Sequence, residues 1–159
     1  MSEPEASATP EERIAGLGLA IPDLVPPVAS YTPTVRTGDY VYVSGQVPMV
    51  DGEPAGTGKV GAEVTPERAA ELAAVCALNG IAAIRAEIGD LSRVRRVVKV
   101  VGFVASDPSF TGQPKVINGA SDLLGAVFGD AGVHARSAVG VAALPLDVPV
   151  EVEMIVEVD

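Results

Sequence analysis

Arg93-Val-Arg-Arg-Val-Val-Lys-Val-Val-Gly-Phe-Val-Ala105 is the stretch on which the fold turns. Val97, Val98, Val100, Val101, Phe103 and Val104 put β-branched or aromatic side chains on both faces of one extended strand. Such a strand belongs in the middle of a structure, with something packed on each side. Helical patterns flank it. Upstream, Thr65-Pro66 supplies an N-cap and a first-turn proline, and the helix that follows runs to about Ile88 and stops at Gly89. Its many alanines permit close packing on a sheet, and Leu72, Val75, Cys76, Asn79, Ala83 and Ala86 approximate its inner face. Downstream, Asp107-Pro108 ends the strand. Residues 113–129 then form a second, weaker helix with Val116, Leu123, Leu124, Val127 and Phe128 inward.

Outward from this centre, Tyr31–Arg36 and Tyr40–Val47 read as a β-hairpin around Gly38-Asp39. Val41 and Val43 share one face of it; Tyr40, Tyr42 and Ser44 share the other. Residues 48–64 are a Gly-rich surface loop with a short strand near Lys59-Val60. Strands over 136–143 and 150–158 close the chain. The last alternates strictly, with Val150, Val152, Met154, Val156 and Val158 on one side and Glu151, Glu153 and Glu157 on the other. The order β-β-(β)-α-β-α-β-β, without internal repeat, describes an α+β layer: a mixed sheet with two helices packed on one face, in a single domain. Its other face is also apolar, so a second copy of the chain is the expected cover.

At the N-terminus, residues 1–8 are polar and expected to be disordered. Thr9-Pro10-Glu11-Glu12 is a capping box that opens a short helix through Arg13, Ile14 and Leu17. Residues 20–30 are too rich in proline for a helix or a central strand. The chain thus divides into an N-terminal extension with a short helix over 1–27 and the domain proper over 28–159.

Composition narrows the function. The 159 residues are 48% apolar and carry a net charge of −10, with a mean hydropathy of +0.34. No run approaches the roughly 18 consecutive apolar residues of a membrane span, so the surplus apolar surface points to a homo-oligomer and not to a membrane. A chain this acidic does not attract phosphate backbones, and Arg93, Arg95, Arg96 and Lys99 form no continuous stripe, so nucleic acid is not an expected partner. They read as ion-pair partners for acidic neighbours. One cysteine, Cys76, and one histidine, His134, allow neither an internal disulfide nor a Cys/His metal cluster. No metal or cofactor is expected. The N-terminal residues lack the basic and apolar segments of a secretory signal, so the cytoplasm is the expected compartment.

What chemistry remains lies near the end, in His134-Ala-Arg136-Ser137 and then Asp147-Val-Pro-Val-Glu151-Val-Glu153. One strand offers a cation and its neighbour a carboxylate. A guanidinium holds a carboxylate through two parallel, charge-assisted hydrogen bonds. Glu153 and Glu157 read as a solvated acidic face, whereas a partly shielded Glu151 would keep its proton to higher pH and exchange it near neutrality. Gly45 after Ser44 allows a ligand close to the backbone. A nucleophilic serine lacks a neighbouring base, since the one histidine reads as a loop residue; Cys76 reads as a small buried side chain. Gly56-Thr-Gly58-Lys59 lacks phosphate-loop spacing.

Two segments resemble a known family. Tyr40-Val-Tyr-Val-Ser44-Gly45-Gln46-Val-Pro48 is similar to one signature of the RidA/YjgF family, formerly the endoribonuclease L-PSP family. Arg136-Ser-Ala-Val-Gly-Val-Ala-Ala-Leu144-Pro145, continuing ungapped through Glu151-Val-Glu153, is similar to its C-terminal signature. The likeness covers residues 28–158 and indicates a divergent branch, departing in the 49–63 loop and over Val116–Leu124. It implies a chorismate-mutase-like fold, a homotrimer and clefts between subunits. It further implies hydrolysis of reactive enamines and imines, such as 2-aminoacrylate, to 2-keto acids and ammonia. In that scheme Arg136 binds the substrate carboxylate and Glu151 positions or activates water. Tyr31, Ser44, Gly45 and Asn118 line the cleft, and the backbone at Ala138 meets the substrate nitrogen. The alternative is a non-catalytic trimeric sensor binding a small carboxylate or keto acid in the same cleft. A ribonuclease is disfavoured by the charge, the lone histidine and the lack of an aromatic stacking platform.

Overall fold

The computed structural model describes residues 7–24, 26–27 and 29–159. The disorder expected over 1–8 falls mostly on residues 1–6, outside the described residues, as do Val25 and Val28 of the extended lead-in. The regular elements are α1 (Pro10–Gly16), β1 (Thr34–Thr37), β2 (Tyr40–Gln46), β3 (Met49–Val50), β4 (Glu53–Pro54), α2 (Pro66–Ile88), β5 (Val94–Ala105), α3 (Gln113–Phe128), β6 (Ala135–Val141) and β7 (Val150–Val158). Five strands make one sheet in the order β1-β2-β7-β5-β6, and β3 and β4 pair separately. All neighbours run antiparallel except β5 and β6, which are parallel. The sheet is therefore mixed, and α2 and α3 cover one face of it.

Local signals set the helix ends. Thr65 Oγ1 accepts from the Arg68 amide, and the chain leaves α2 at Gly89 with φ +85°, where a side chain would be strained. In α1, Thr9 and Glu12 satisfy each other's backbone amides as a capping box. Ile14 from this helix is 1% exposed and joins the main core. Glu11 accepts from the Leu91 amide at 2.9 Å and Arg13 donates to the Val127 carbonyl at 3.3 Å, so α1 is fixed to the body of the fold.

The core lies between sheet and helices. Val150, Val152, Met154, Val156 and Val158 are all buried, while Glu151, Glu153, Ile155 and Glu157 on the opposite face are half-buried. In β5 the same division separates Val97, Val100 and Val104 from the half-covered Val101 and Phe103. The inner face expected for α2 was too narrow. Ala77, Ile81 and Ile84 are also buried, Val75 and Asn79 are only half so, and Ala86 is exposed. The reason is α3, which packs on α2 beside the sheet and buries a second side of it. The helices meet so closely that a Cβ on Gly119 would collide with the Ala70 carbonyl. By length and composition alone α2 could cross a membrane, yet more than half of that stretch is buried here.

Three expectations need correction. The strand presumed near Lys59-Val60 is only a pair of isolated bridges, from Val60 to Val64 and to Ser106, and the 48–64 segment holds the β3–β4 hairpin instead. The first hairpin strand begins at Thr34, since residues 31–33 precede the ladder. Most consequentially, the strands bearing Arg136 and Glu151 are not neighbours, because β5 lies between β6 and β7.

Candidate active site

The residues singled out from the sequence fall into two groups on opposite faces of the sheet. Arg136 in β6 is level with Val100 of β5, which faces the helices, and so points to that side. Its guanidinium meets α3: Nη1 donates to Asn118 Oδ1 at 2.9 Å and to Ser121 Oγ at 3.2 Å, and Nη2 donates to the Pro114 carbonyl at 3.2 Å. Asn118 and Ser121 are three residues apart, on one side of that helix. Ala138, two residues beyond Arg136, shares its face and packs partly on the core. Of the five N–H groups of a guanidinium, three are engaged, leaving two. Ser121, Gly125, Gly132, Val133, His134 and Arg136 line an open cleft of about 320 Å³.

Glu151 belongs to the other face. It is level with Phe103 of β5, and Phe103 with Val139 of β6. Arg136 lies three residues from Val139, so the two Cα atoms are separated by two strand spacings and three residue rises, about 14 Å, with side chains pointing to opposite sides. One chain does not bring this arginine and this glutamate together.

Around Glu151 the backbone is shaped for contact. Val43 pairs with Met154 and Gln46 with Val152, so Ser44 and Gly45 together oppose Glu153 in a β-bulge. The Glu151 carboxylate lies over Gly45, where a Cβ would collide with its Oε1. Ser44 Oγ donates to the Thr32 carbonyl at 2.6 Å, which brings the adjoining Tyr31 segment beside the bulge. Tyr31 itself is 55% exposed. Desolvation by burial raises the Glu151 pKa, and the like charge of Glu153 raises it further. Burial also pushes the Cys76 thiol well up, with Glu151 contributing, which accords with Cys76 as an inert core residue.

Among the described residues Ser44 Oγ bonds the Thr32 carbonyl and no base. Sequence reasoning missed a different serine, Ser121, and with it the place of His134. His134 Nε2 lies 2.9 Å from Ser121 Oγ, and its Nδ1 lies 2.6 Å from the Gly132 carbonyl. The available signal was the three-residue spacing of Asn118 and Ser121 on a helix. Tyr40 and Tyr42 stand exposed on the open sheet face, an aromatic pair the sequence reading did not credit. They share it with Glu151, Glu153 and Glu157, whose charges repel a phosphate backbone. That face also holds a concavity of about 380 Å³, whose lining includes Val35, Tyr42, Lys99, Val101, Glu153 and Ile155.

Comparisons agree with this architecture. Residues 11–158 match the sequence profile of a family described as "YjgF/chorismate_mutase-like, putative endoribonuclease". Protein TCP17 of Trypanosoma cruzi is 44% identical over 155 residues, covering 97% of each chain. A solved protein of unknown function from Agrobacterium tumefaciens superposes with a TM-score of 0.88 at 46% identity, covering 95% of this chain and 92% of that one. TdcF of Escherichia coli, solved with bound serine, superposes at 0.57 with 25% identity over 84% of this chain and 92% of its own. Sheet order, helix placement and the profile match lead to one assignment: the chain belongs to the YjgF/chorismate mutase-like family.

Proposed function

We propose that this protein hydrolyses reactive 2-imino and 2-enamino acids to 2-keto acids and ammonia, at sites completed between copies of the chain in a homotrimer. The observation that carries the reading is the division of the site. A guanidinium with two unused donors lies at the β6 edge, and a desolvated carboxylate lies over a glycine backbone on the open face of the same sheet. Among the described residues neither group has an ion-pair partner in the same chain. The open face presents exposed Val35 and Tyr42 beside half-covered Val101 and Ile155, which supports burial against another copy.

The chemistry needs little more. The substrate carboxylate takes the two free donors of Arg136, which fixes the C=N bond beside Glu151 of the adjoining copy. An enamine first takes a proton at its β-carbon and becomes an imine. Water then adds to the carbon of the protonated imine, passing one proton to Glu151, which returns it to the nitrogen. As the C–N bond breaks, Glu151 takes the hydroxyl proton, the C=O bond of the keto acid forms, and that proton leaves with ammonia as ammonium. A carboxyl group with a raised pKa suits both directions of that transfer. The family's endoribonuclease description draws no support from a net charge of −10 and one histidine.

A second reading, a non-catalytic sensor of small carboxylates, is favoured by one finding: TdcF was solved with bound serine, an amino acid and not an imine. The discriminating experiment generates 2-aminoacrylate in situ and follows keto-acid release with the wild-type protein and with Arg136→Ala. Acceleration by wild type alone supports the deaminase. Tight pyruvate binding without turnover of any imine supports the sensor.

A further inference from the structure

The site described so far leaves Ser121 and His134 without a role, and their geometry assigns one. The Gly132 carbonyl can only accept, so His134 Nδ1 at 2.6 Å from it carries a hydrogen. In the neutral ring, Nε2 then presents a lone pair to Ser121 Oγ at 2.9 Å, and the serine hydroxyl must donate to it. Ser121 Oγ keeps its lone pairs for the Arg136 Nη1 donor at 3.2 Å. One carbonyl therefore orients three successive hydrogen bonds. That carbonyl is itself held in place: Gly132 packs so tightly on α3 that a Cβ there would collide with the Leu124 carbonyl. A serine inside a helix ordinarily points to solvent or returns its hydroxyl to the carbonyl four residues earlier. Here it reaches across to the segment that leads into β6.

The second observation is electrical. Asn118 Oδ1, Ser121 Oγ and the Pro114 carbonyl are all uncharged, and Arg136 has no ion-pair partner among the described residues. Carboxylates pair with Arg68 and Arg95 in this structure, and none pairs with Arg136 among the described residues. Neutral acceptors instead order a long side chain without cancelling its charge. That is the arrangement required if the charge is reserved for an incoming anion.

We propose that Ser121 and His134, fixed by the Gly132 carbonyl, are positioning residues that hold the Arg136 guanidinium ordered and unneutralised for the substrate carboxylate. The proposal rests on the carboxylate-binding role of Arg136 argued above. Its effect falls on binding rather than on the chemical step, because neither residue touches the reacting carbon.

The test measures KM and kcat for imine hydrolysis, with pyruvate affinity as an independent binding probe. Ser121→Ala is expected to raise KM and the pyruvate Kd by about 3- to 10-fold, the loss of one hydrogen bond, with a much smaller change in kcat. Ser121→Thr keeps a hydroxyl and should restore most of the affinity. Ser121→Asp orders the guanidinium but neutralises it, and should impair pyruvate binding more than Ser121→Ala does. His134→Phe should resemble Ser121→Ala, and His134→Gln, which keeps an acceptor, should fall between it and wild type. Unchanged KM and pyruvate affinity in Ser121→Ala, or an Asp variant that binds as well as wild type, would overturn the proposal. Should the wild-type protein neither turn over imines nor bind pyruvate, the proposed function fails, but the positioning role is still measurable. Nitrogen-15 NMR of the Arg136 side chain should show slower rotation about its Cζ–Nη1 bond in wild type than in Ser121→Ala, where the Asn118 bond alone holds that nitrogen. Equal hindrance in both would overturn the relay by itself.

Discussion

Replacing Glu151 by glutamine should make this protein slightly more stable at neutral pH and far less active. The carboxylate is half-buried beside Glu153, and burial followed by that like charge raises its pKa above the ordinary glutamate value of 4.5. The folded state thus keeps its proton to a higher pH than the unfolded chain does. Between the two pKa values the unfolded state binds fewer protons, so stability falls as pH rises through that window. Below it both states are protonated and nothing is lost. Glutamine has the same shape and no charge to desolvate. With solvent still reaching half of the group, the gain at pH 7 should be only about 0.5–1 kcal/mol, or about 1–3 °C in melting temperature for a chain of this length. Near pH 4 the two proteins should melt together. Turnover should drop about a hundredfold or more if Glu151 carries the proton transfers. Melting curves at fixed protein concentration from pH 4 to 8, beside the imine assay, measure both. A variant that melts below wild type at pH 7, or turns over imines within a factor of two of it, would contradict these roles of Glu151.

Other substitutions separate structure from chemistry. Gly45→Ala sets a Cβ against Glu151 Oε1, the far end of a flexible side chain. The fold should lose less than about 1 kcal/mol in urea titration, while turnover falls at least tenfold because the carboxylate is displaced. Gly119→Ala drives a Cβ into the Ala70 carbonyl, where rigid backbone meets rigid backbone between α2 and α3. That should cost about 1–3 kcal/mol or more by the same titration. Gly80→Ala presses only on the Met154 Cε methyl, which can rotate away, so it should cost clearly less than Gly119→Ala.

How far the sequence could be read follows the range of the interactions. Thr65-Pro66 and Gly89 bound α2 correctly because caps and C-terminal glycines act within one turn. The alternation from Val150 to Val158 sorted buried from half-covered side chains because a strand has a period of two. What failed was long-range. No local signal says that β5 inserts between β6 and β7, and that one fact moves Arg136 and Glu151 apart and onto opposite faces. The bulge at Ser44-Gly45 appears only as a register shift against β7. Ser121 and His134 are thirteen residues apart in sequence and meet only because the turn at Gly129–Gly132 folds back on α3. The buried second side of α2 depends likewise on where α3 lands.

The proposed site draws Arg136 from one copy and Glu151 from another. Co-expressing Arg136→Ala chains with Glu151→Gln chains, each inactive alone, tests it directly. In a symmetric ring with random mixing, half of the arginines and half of the glutamates are intact, so about one quarter of the interfaces hold an intact pair, whatever the number of copies. Recovery of about one quarter of wild-type turnover is the expected result. No recovery, in oligomers shown by mass to contain both chains, would mean that the two residues do not meet across an interface.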